Sequence, residues 1–213
     1  MEPKTLEQTA ANPLATAPIG TLLCRYSIPT TLTLLVNYLY NIADQIFVGQ
    51  GVGITGMAAT NVAFPLTIVT IALALLLGDG CAANLNLCLG RGEQDQANRI
   101  ISHTASLMVG VGILLGIAGS LLAKPIVILF GATETSFQAA LDYTRIIAWG
   151  LPFLLFSYAL AAIIRADGNP KFTMKCMMLG AGINLVLDPV FIFCLHMGVV
   201  GAAIATVLGQ AVA

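Results

Sequence analysis

The sequence predicts an all-α membrane protein with six transmembrane helices. Of the 213 residues, 58% are hydrophobic and only 9% are charged. A soluble globular domain carries about 25% charged residues, because its surface must face water. Apolar stretches of about 20 residues, the length that crosses a hydrocarbon core as a helix, recur six times along the chain. Nine Lys and Arg residues against ten Asp and Glu residues also exclude a nucleic-acid partner.

Each predicted span is an apolar stretch bounded by polar or turn-forming residues. The six spans cover residues 23–48, 57–87, 100–122, 146–165, 176–195 and 199–213. The second span is long for one crossing, so we expect it to tilt or to extend into water at its later end. After the third span, residues 124–143 contain Pro125 and an apolar run, which predicts a short helix at the outer interface.

Residues 1–20 are predicted to form a cytoplasmic tail. They are polar, contain three prolines and lack the apolar core of a secretory signal. With this tail inside, seven of the nine Lys and Arg residues lie in inner segments and two in outer segments. The positive-inside rule therefore favours a multi-pass plasma-membrane protein with a cytoplasmic N terminus. Residues 21–213 form the six-helix lobe, and we expect its sixth helix to be truncated at Ala213.

The cysteines and histidines predict no structural metal site and no cofactor. The five cysteines are odd in number, show no C-x-x-C spacing and lie mostly in apolar runs, where Cys packs as a small hydrophobic residue. His103 and His196 lie near the ends of spans without a second ligand four residues away.

The first span presents a polar stripe that ends in a carboxylate. Charged groups inside a span cost about 2.5 to 3.5 kcal/mol each to insert, so they mark interior faces and ion pathways. Asp44 lies about one turn before the outer end of this span, and Asn37 and Asn41 precede it at helical spacing. Pro29, near the start of the span, removes a backbone hydrogen bond and predicts a place where the helix can bend.

The fifth span carries a second polar site. Asn184 and Asp188 are four residues apart, which puts the amide and the carboxylate on one helix face. Together these groups can hold a proton or bind a small cation through oxygen ligands. Pro189 would leave the Leu185 carbonyl without its usual donor and so offer another oxygen. The alternative is that Asp44 and Asp188 are neutral, hydrogen-bonded groups that hold helices together.

A weak internal repeat links the first and fifth spans. Residues 44–48 (DQIFV) and 188–192 (DPVFI) share the pattern D-x-[IV]-F-[VI], and each is followed by Gly-x-x-Gly at the start of the next span. Thr60 and Thr206 then occupy similar places. Repeats are common in transporters, whose binding sites form at the interfaces between the repeats.

The chain resembles the multidrug and toxic compound extrusion (MATE) transporters from about residue 20 to its end. The resemblance rests on motifs whose order and spacing over six spans are specific. These motifs are Pro29 with residues 44–49 (DQIFVG), 89–92 (LGRG), 164–170 (IRADGNP), 184–189 (NLVLDP) and 201–206 (GAAIAT).

The resemblance implies one six-helix lobe of a twelve-helix exporter of organic cations, driven by the inward flow of protons or sodium ions. It implies a second six-helix lobe as partner, in addition to the lipid bilayer, and no enzymatic activity. Asn37 matches a position that often faces the lobe cavity, and Pro29 matches a proline associated with bending of the first span. The residues that match the family's cation site are Asp44, Asn184, Asp188 and Thr206.

Two other interpretations stay open on the sequence alone. The chain could be an inactive fragment or half of a split transporter, because it supplies only one lobe. An intramembrane aspartyl protease is disfavoured, because Leu76 occupies the first glycine position of a Gly-x-Gly-Asp signature ending at Asp79. Asp79 matches no site residue of the family, and we expect it to line an inner vestibule or to meet water.

Overall fold

The computed structural model describes residues 18–213, and this part of the chain is almost wholly helical. Five of its helices are long and apolar enough to cross a membrane, and the last is a shorter apolar helix. The α-helices of the described residues are α1 (Ile19–Gly51), α2 (Ile54–Arg91), α3 (Gln94–Leu121), α4 (Ala123–Leu129), α5 (Phe137–Ala166), α6 (Pro170–Pro189) and α7 (Gly198–Val212). Between α6 and α7 the chain forms a π-helical turn, Val190–Cys194.

The all-α membrane architecture predicted from the sequence is confirmed. Five of the six predicted spans fall on one helix each, and most of these helices extend beyond the apolar stretch that predicted them. The fifth predicted span, 176–195, continues past the end of α6 at Pro189 through the π-helical turn. The predicted tail, residues 1–20, falls mainly on residues 1–17, which lie outside the described residues; α1 begins at Ile19.

The prediction for residues 124–143 is only partly right. The apolar run does form a short helix, α4, but the residues that follow the turn belong to α5, which begins at Phe137 rather than at 146. Polar residues need not end a helix when they satisfy one another. Here the Gln138 amide donates to both oxygens of Asp142 at 3.1 and 3.0 Å, one turn along the same helix.

Helix α2 is the longest helix of the lobe, with 38 residues. At a rise of about 1.5 Å per residue it is about 57 Å long. A hydrocarbon core is only about 30 Å thick, so the overlong second span predicted from the sequence is confirmed as one continuous helix. Asp79 lies on the exposed side of α2, and its charged neighbour is Arg165 on α5.

Helix α5 is the central helix of the lobe. It packs most extensively against α2 and also contacts α3 and α7, and 56% of its most apolar stretch is buried. Helices α5 and α2 approach closely at Gly78, where an added Cβ atom would lie 2.7 Å from the Cα atom of Ala159. Only glycine allows two helix backbones to come so near.

The buried apolar side chains form two clusters, and α5 contributes to both. One cluster contains Val48, Leu151 and Ile192, and the other contains Met108 and Leu155. Helix α1 lies at the flank of this packed unit. It contacts chiefly α6, and only 11% of its most apolar stretch is buried. The packing of α1 on α6 brings the polar groups of both helices to one place.

Candidate cation site between helices α1 and α6

The polar stripe on α1 is largely satisfied by the backbone of its own helix. Thr30, Thr33, Asn37 and Asn41 each donate to the carbonyl oxygen four residues earlier, at 2.8, 2.8, 3.1 and 2.7 Å. Asp44, the next member of the stripe, carries a carboxylate when ionised and then has no proton to donate. It must therefore find its partners on other side chains.

The structure brings Asp44 together with Asp188. The Asp44 side chain is 8% exposed, and Asp188 on α6 is fully buried. Their carboxyl groups lie within hydrogen-bonding range of each other. The Oδ1 atom of Asp44 is buried and has no hydrogen-bond partner among the described residues. Two buried carboxylates in contact repel each other unless a proton or a cation offsets one of the charges.

Asn184 joins Asp188 to the next helix. Its amide group lies 3.5 Å from Asp188 Oδ1 and 3.5 Å from the Thr206 hydroxyl on α7. With the amide turned over, its nitrogen donates to Asp188 Oδ2 at 3.2 Å and its oxygen accepts from the Thr206 backbone nitrogen at 3.3 Å. Asn184 connects Asp188 to Thr206 in either orientation.

Gln45 makes a corresponding connection for Asp44. Its Nε2 atom lies 3.5 Å from Asp44 Oδ2 and 3.2 Å from the Thr60 hydroxyl on α2. Thr60 is buried, and Gln45 is half-buried. Thr60 stands out in the sequence only through the internal repeat, and Gln45 is absent from the predicted site, because their contact joins two helices.

Two tyrosines near the carboxylates are absent from the sequence prediction. Tyr40 lies one turn before Asp44 on α1, and Tyr143 on α5 is buried with its hydroxyl near Thr206. Both hydroxyls lie close enough to Asp44 and Asp188 to sense their charges. Tyr143 is missed because the predicted fourth span starts at 146, whereas the i−4 spacing from Asp44 could have indicated Tyr40.

A small open cavity adjoins the site. Its walls come from α1, α5, α6 and α7, and the described residues that line it are all uncharged. The polar and aromatic members of this lining are Asn37, Tyr40, Ser157, Tyr158, Asn184, Thr206 and Gln210. The cavity therefore combines aromatic faces with neutral hydrogen-bonding groups, beside two carboxylates.

The other residues predicted for the cavity or for a hinge lie outside this lining. Asn41 is exposed on α1. Pro29 is buried within α1, where its missing N–H interrupts the helical hydrogen-bond series. Pro189 is the last residue of α6, and the backbone continues from it into the π-helical turn.

The internal repeat has a structural counterpart. In residues 44–48 and 188–192 the five side chains follow the same order: buried, half-buried, exposed, half-buried, buried. After each segment the chain turns through a glycine in the left-handed region, Gly53 with φ 83° and Gly198 with φ 58°. The acids at the start of the two segments are the two that meet.

The site offers only oxygen atoms to a positively charged partner. Two carboxylates, an amide and a hydroxyl are the kinds of ligand that hard cations prefer, and a carboxylate also accepts a proton. Among residues 18–213, no three His, Cys, Asp or Glu side chains come together as a metal site.

The family profile described as MatE matches residues 29–190. The chain belongs to the MATE family. The resemblance identified in the sequence is thereby confirmed, and the matched range includes Pro29, Asp44, Asn184 and Asp188.

The chain is similar to several transporters of known sequence. It is 33% identical over 205 residues to the FAD transporter of Shewanella oneidensis, covering 94% of this chain and 45% of that protein. It is 27% identical over 188 residues to the multidrug export protein MepA of Staphylococcus haemolyticus, covering 88% of this chain and 42% of that protein. These MATE relatives are transporters rather than enzymes.

Solved MATE structures share the fold. A structure of the MATE multidrug transporter DinF-BH, solved as a complex, matches with a TM-score of 0.89 and 37% identity, over 97% of this chain and 46% of that one. A MATE structure in complex with MaD3S matches with a TM-score of 0.84 and 34% identity, over 89% of this chain and 43% of that one. The chain is a multi-pass membrane protein that spans somewhat less than half the length of the relatives it matches.

Proposed function

We propose that this chain is one six-helix lobe of a secondary active exporter that expels organic cations in exchange for protons or sodium ions. The observation that carries the proposal is the contact between the buried carboxyl groups of Asp44 and Asp188, with Asp44 Oδ1 left without a partner among the described residues. A purely structural pair of acids would have its oxygens satisfied by fixed donors. An unsatisfied buried oxygen instead favours a partner that comes and goes.

Binding of a proton or sodium ion between the carboxylates would draw α1 toward α6, and release of the ion would let the charges push the two helices apart. Helix α1 suits this movement. Four members of its polar stripe bond to their own backbone, so the helix can shift without leaving those donors unpaired. Pro29 supplies a place in α1 where bending is easy.

The driving force sets a limit on the export that one ion can support. A single cation entering down about 100 mV releases about 2.3 kcal/mol, but expelling one monovalent organic cation against the same potential costs as much. A one-for-one exchange therefore depends on the chemical gradient of the coupling ion, and the membrane potential contributes only if more than one ion enters per substrate.

The lining of the adjoining cavity suits a lipophilic organic cation in its chemistry. Its lining contains the aromatic rings of Tyr40 and Tyr158, which attract cations through their π faces, and neutral groups that accept varied shapes. Asp44 and Asp188 lie beside it, so ion and substrate compete for the same negative charge. Several relatives are named multidrug export proteins, in keeping with this proposal.

The proposal includes a second six-helix lobe and a plasma-membrane location with the N terminus and the tail of residues 1–20 on the cytoplasmic side. Relatives about twice as long as this chain support the second lobe, and the distribution of Lys and Arg supports the orientation. Alternating access requires two bundles that rock against each other around a shared site, and this lobe supplies one of them.

The decisive test is Asp188→Asn in the full-length parent, the transporter that contains this lobe and a second one. We expect this change to abolish ion-coupled efflux of a cationic dye from cells or proteoliposomes, because one of the two charges that bind the ion is gone. Asp79→Asn is the matched control, since Asp79 is exposed and lies away from the site. Ion coupling that survives Asp188→Asn would remove Asp188 from the mechanism.

Export of a flavin dinucleotide is a second candidate, favoured by the 33% identity to the FAD transporter of Shewanella oneidensis. The cavity argues against it, because no described residue that lines it is Lys or Arg, the side chains that commonly bind phosphate groups. Cells that produce the full-length parent should therefore export a cationic dye without raising the FAD content of the medium. FAD accumulation outside the cells, lost with Asp188→Asn, would favour the second candidate.

A further inference from the structure

We propose that Gln45 and Thr60 are a positioning pair of the cation site, which holds Asp44 in the way that Asn184 and Thr206 hold Asp188. The inference rests on the proposed ion coupling and adds two residues that the site predicted from the sequence does not contain. Each carboxylate would then belong to a unit of three side chains: an acid, an amide on the same helix, and a threonine on the helix that follows.

The geometry of the two units corresponds. In each unit one amide lies between a carboxylate oxygen and a threonine. Gln45 Nε2 lies 3.5 Å from Asp44 Oδ2 and 3.2 Å from Thr60 Oγ1. Asn184 donates to Asp188 Oδ2 at 3.2 Å in its better-satisfied orientation, in which its oxygen accepts from the Thr206 backbone nitrogen at 3.3 Å.

The hydrogen bonds around Thr60 fix the orientation of the Gln45 amide. A threonine hydroxyl has one proton, and that of Thr60 has its shorter bond, 2.9 Å, to the Met57 carbonyl. The longer alternative, to Gln45 Oε1, is 3.3 Å. The hydroxyl oxygen is therefore free to accept from Gln45 Nε2, whose second hydrogen then points to Asp44.

The repeat accounts for the two threonines independently of these distances. The two segments that begin with Asp44 and Asp188 have the same order of buried and exposed side chains. Each leads through a left-handed glycine into the helix that carries the threonine, Thr60 or Thr206. The amides lie outside this correspondence, because Gln45 aligns with Pro189 and Asn184 lies one turn before Asp188, so the two units use different positions for the same kind of group.

The outer end of α1 is also held by apolar contacts that do not depend on Gln45. Gly51 packs against Ile192 of the π-helical turn so closely that an added Cβ atom would collide with it. The rings of Phe47 and Phe193 meet edge to face, with centroids 6.4 Å apart. Loss of the Gln45 bond should therefore free the Asp44 carboxylate while leaving the helix end in place.

The consequence for ion binding follows from the charge of the carboxylate. The Gln45 N–H stabilises Asp44 Oδ2 in its charged form and leaves Oδ1 for the ion. Without that donor the carboxylate binds its ion more tightly and releases it more slowly. Gln45→Leu should lower the ion concentration for half-maximal efflux by about three- to tenfold and also lower the maximal rate, since hydrogen bonds to charged groups are among the stronger ones.

The experiment compares four variants of the full-length parent, with two measurements on each. One is the ion concentration that gives half-maximal dye efflux in proteoliposomes, and the other is the ion-induced rise in melting temperature of the purified protein. Gln45→Leu and Thr60→Val should each lower the half-maximal ion concentration and increase the ion-induced rise in melting temperature. Thr60→Ser keeps the hydroxyl, and Asn61→Ala removes an exposed amide that bonds to the Met57 carbonyl of its own helix, so both should behave as wild type.

The outcomes separate this inference from the proposed function. A wild-type protein that responds to neither protons nor sodium ions in either measurement would overturn both. A wild-type protein that responds, with Gln45→Leu and Thr60→Val indistinguishable from it, would overturn the positioning pair alone. Thr60→Val is nearly isosteric with the native residue, so it tests the positioning pair even if the Gln45→Leu variant does not fold. The positioning pair is supported if Thr60→Val lowers both the half-maximal ion concentration and the maximal efflux rate while Thr60→Ser changes neither.

Discussion

Helices α1 and α5 differ in their burial, in their packing partners and in the polar residues that they carry. Only 11% of the most apolar stretch of α1 is buried, compared with 56% of that of α5. Helix α5 contacts α2, α3 and α7 along its length, whereas α1 contacts chiefly α6. Yet α1 carries Asp44, Gln45 and the polar stripe, while α5 contributes mainly apolar packing and Tyr143.

The difference indicates a fixed framework and a movable element. A helix buried on most sides can shift only if its neighbours repack, because protein interiors are close-packed. A flanking helix whose polar groups bond to their own backbone can shift at much lower cost. The proposed coupling needs such an arrangement, in which α6 with Asp188 stays on the framework and α1 with Asp44 moves against it. Substitutions in the packing around α5 should therefore lower stability more than substitutions on the exposed side of α1.

The largest effect should come from Gly78→Ala, at the close approach of α2 to α5. The new Cβ atom would lie 2.7 Å from the Ala159 backbone, which cannot rotate away, so we expect a loss of more than about 3 kcal/mol in stability. Gly80→Ala is the matched control on the same helix, because no atom lies within 4 Å of its Cβ position. Melting temperatures of the two purified variants provide the measurement, and equal values would contradict a rigid α2–α5 framework.

A smaller effect should come from Leu151→Ala on α5, compared with Leu35→Ala on α1. Leu151 is fully buried, so its truncation leaves a cavity and should cost about 2 to 3 kcal/mol. We place the cost low in the usual range because, in a bilayer, lipid already solvates apolar groups. Leu35 is 53% exposed, and its truncation should change the melting temperature little. A large loss at Leu35 would mean that α1 is covered and held by another part of the transporter, which would break the comparison with α5.

The sequence predicts the helices and the two acids well because both depend on local properties. Apolar length alone locates the spans, and a carboxylate inside such a span stands out against its neighbours. The start of α5 is predicted less well, since Gln138 and Asp142 look like loop residues until they are seen to bond to each other.

The remaining site residues depend on contacts between helices, which periodicity does not reveal. Gln45 and Thr60 meet only because α1 and α2 pack at that point. Asn41 is the opposite case, a residue that the spacing predicts but that does not reach the site. Its spacing places it on the polar stripe, but its amide bonds to its own helix and the side chain is exposed. An asparagine in a membrane span can serve either purpose, and only the packing of neighbouring helices decides between them.

The length of α2 has a practical consequence for studying the transporter in cells. About 57 Å of helix exceeds the roughly 40 to 45 Å of a whole bilayer with its headgroups, and only a tilt of about 40°, the upper end of the usual range, would hide it. At ordinary tilts one end of α2 stands clear of the lipid. The turn that follows Arg91 is exposed at Gly92, and a Cβ atom added there would have no other atom within 4 Å. An epitope or a fluorophore inserted there would report on expression and topology without disturbing the interior of the lobe.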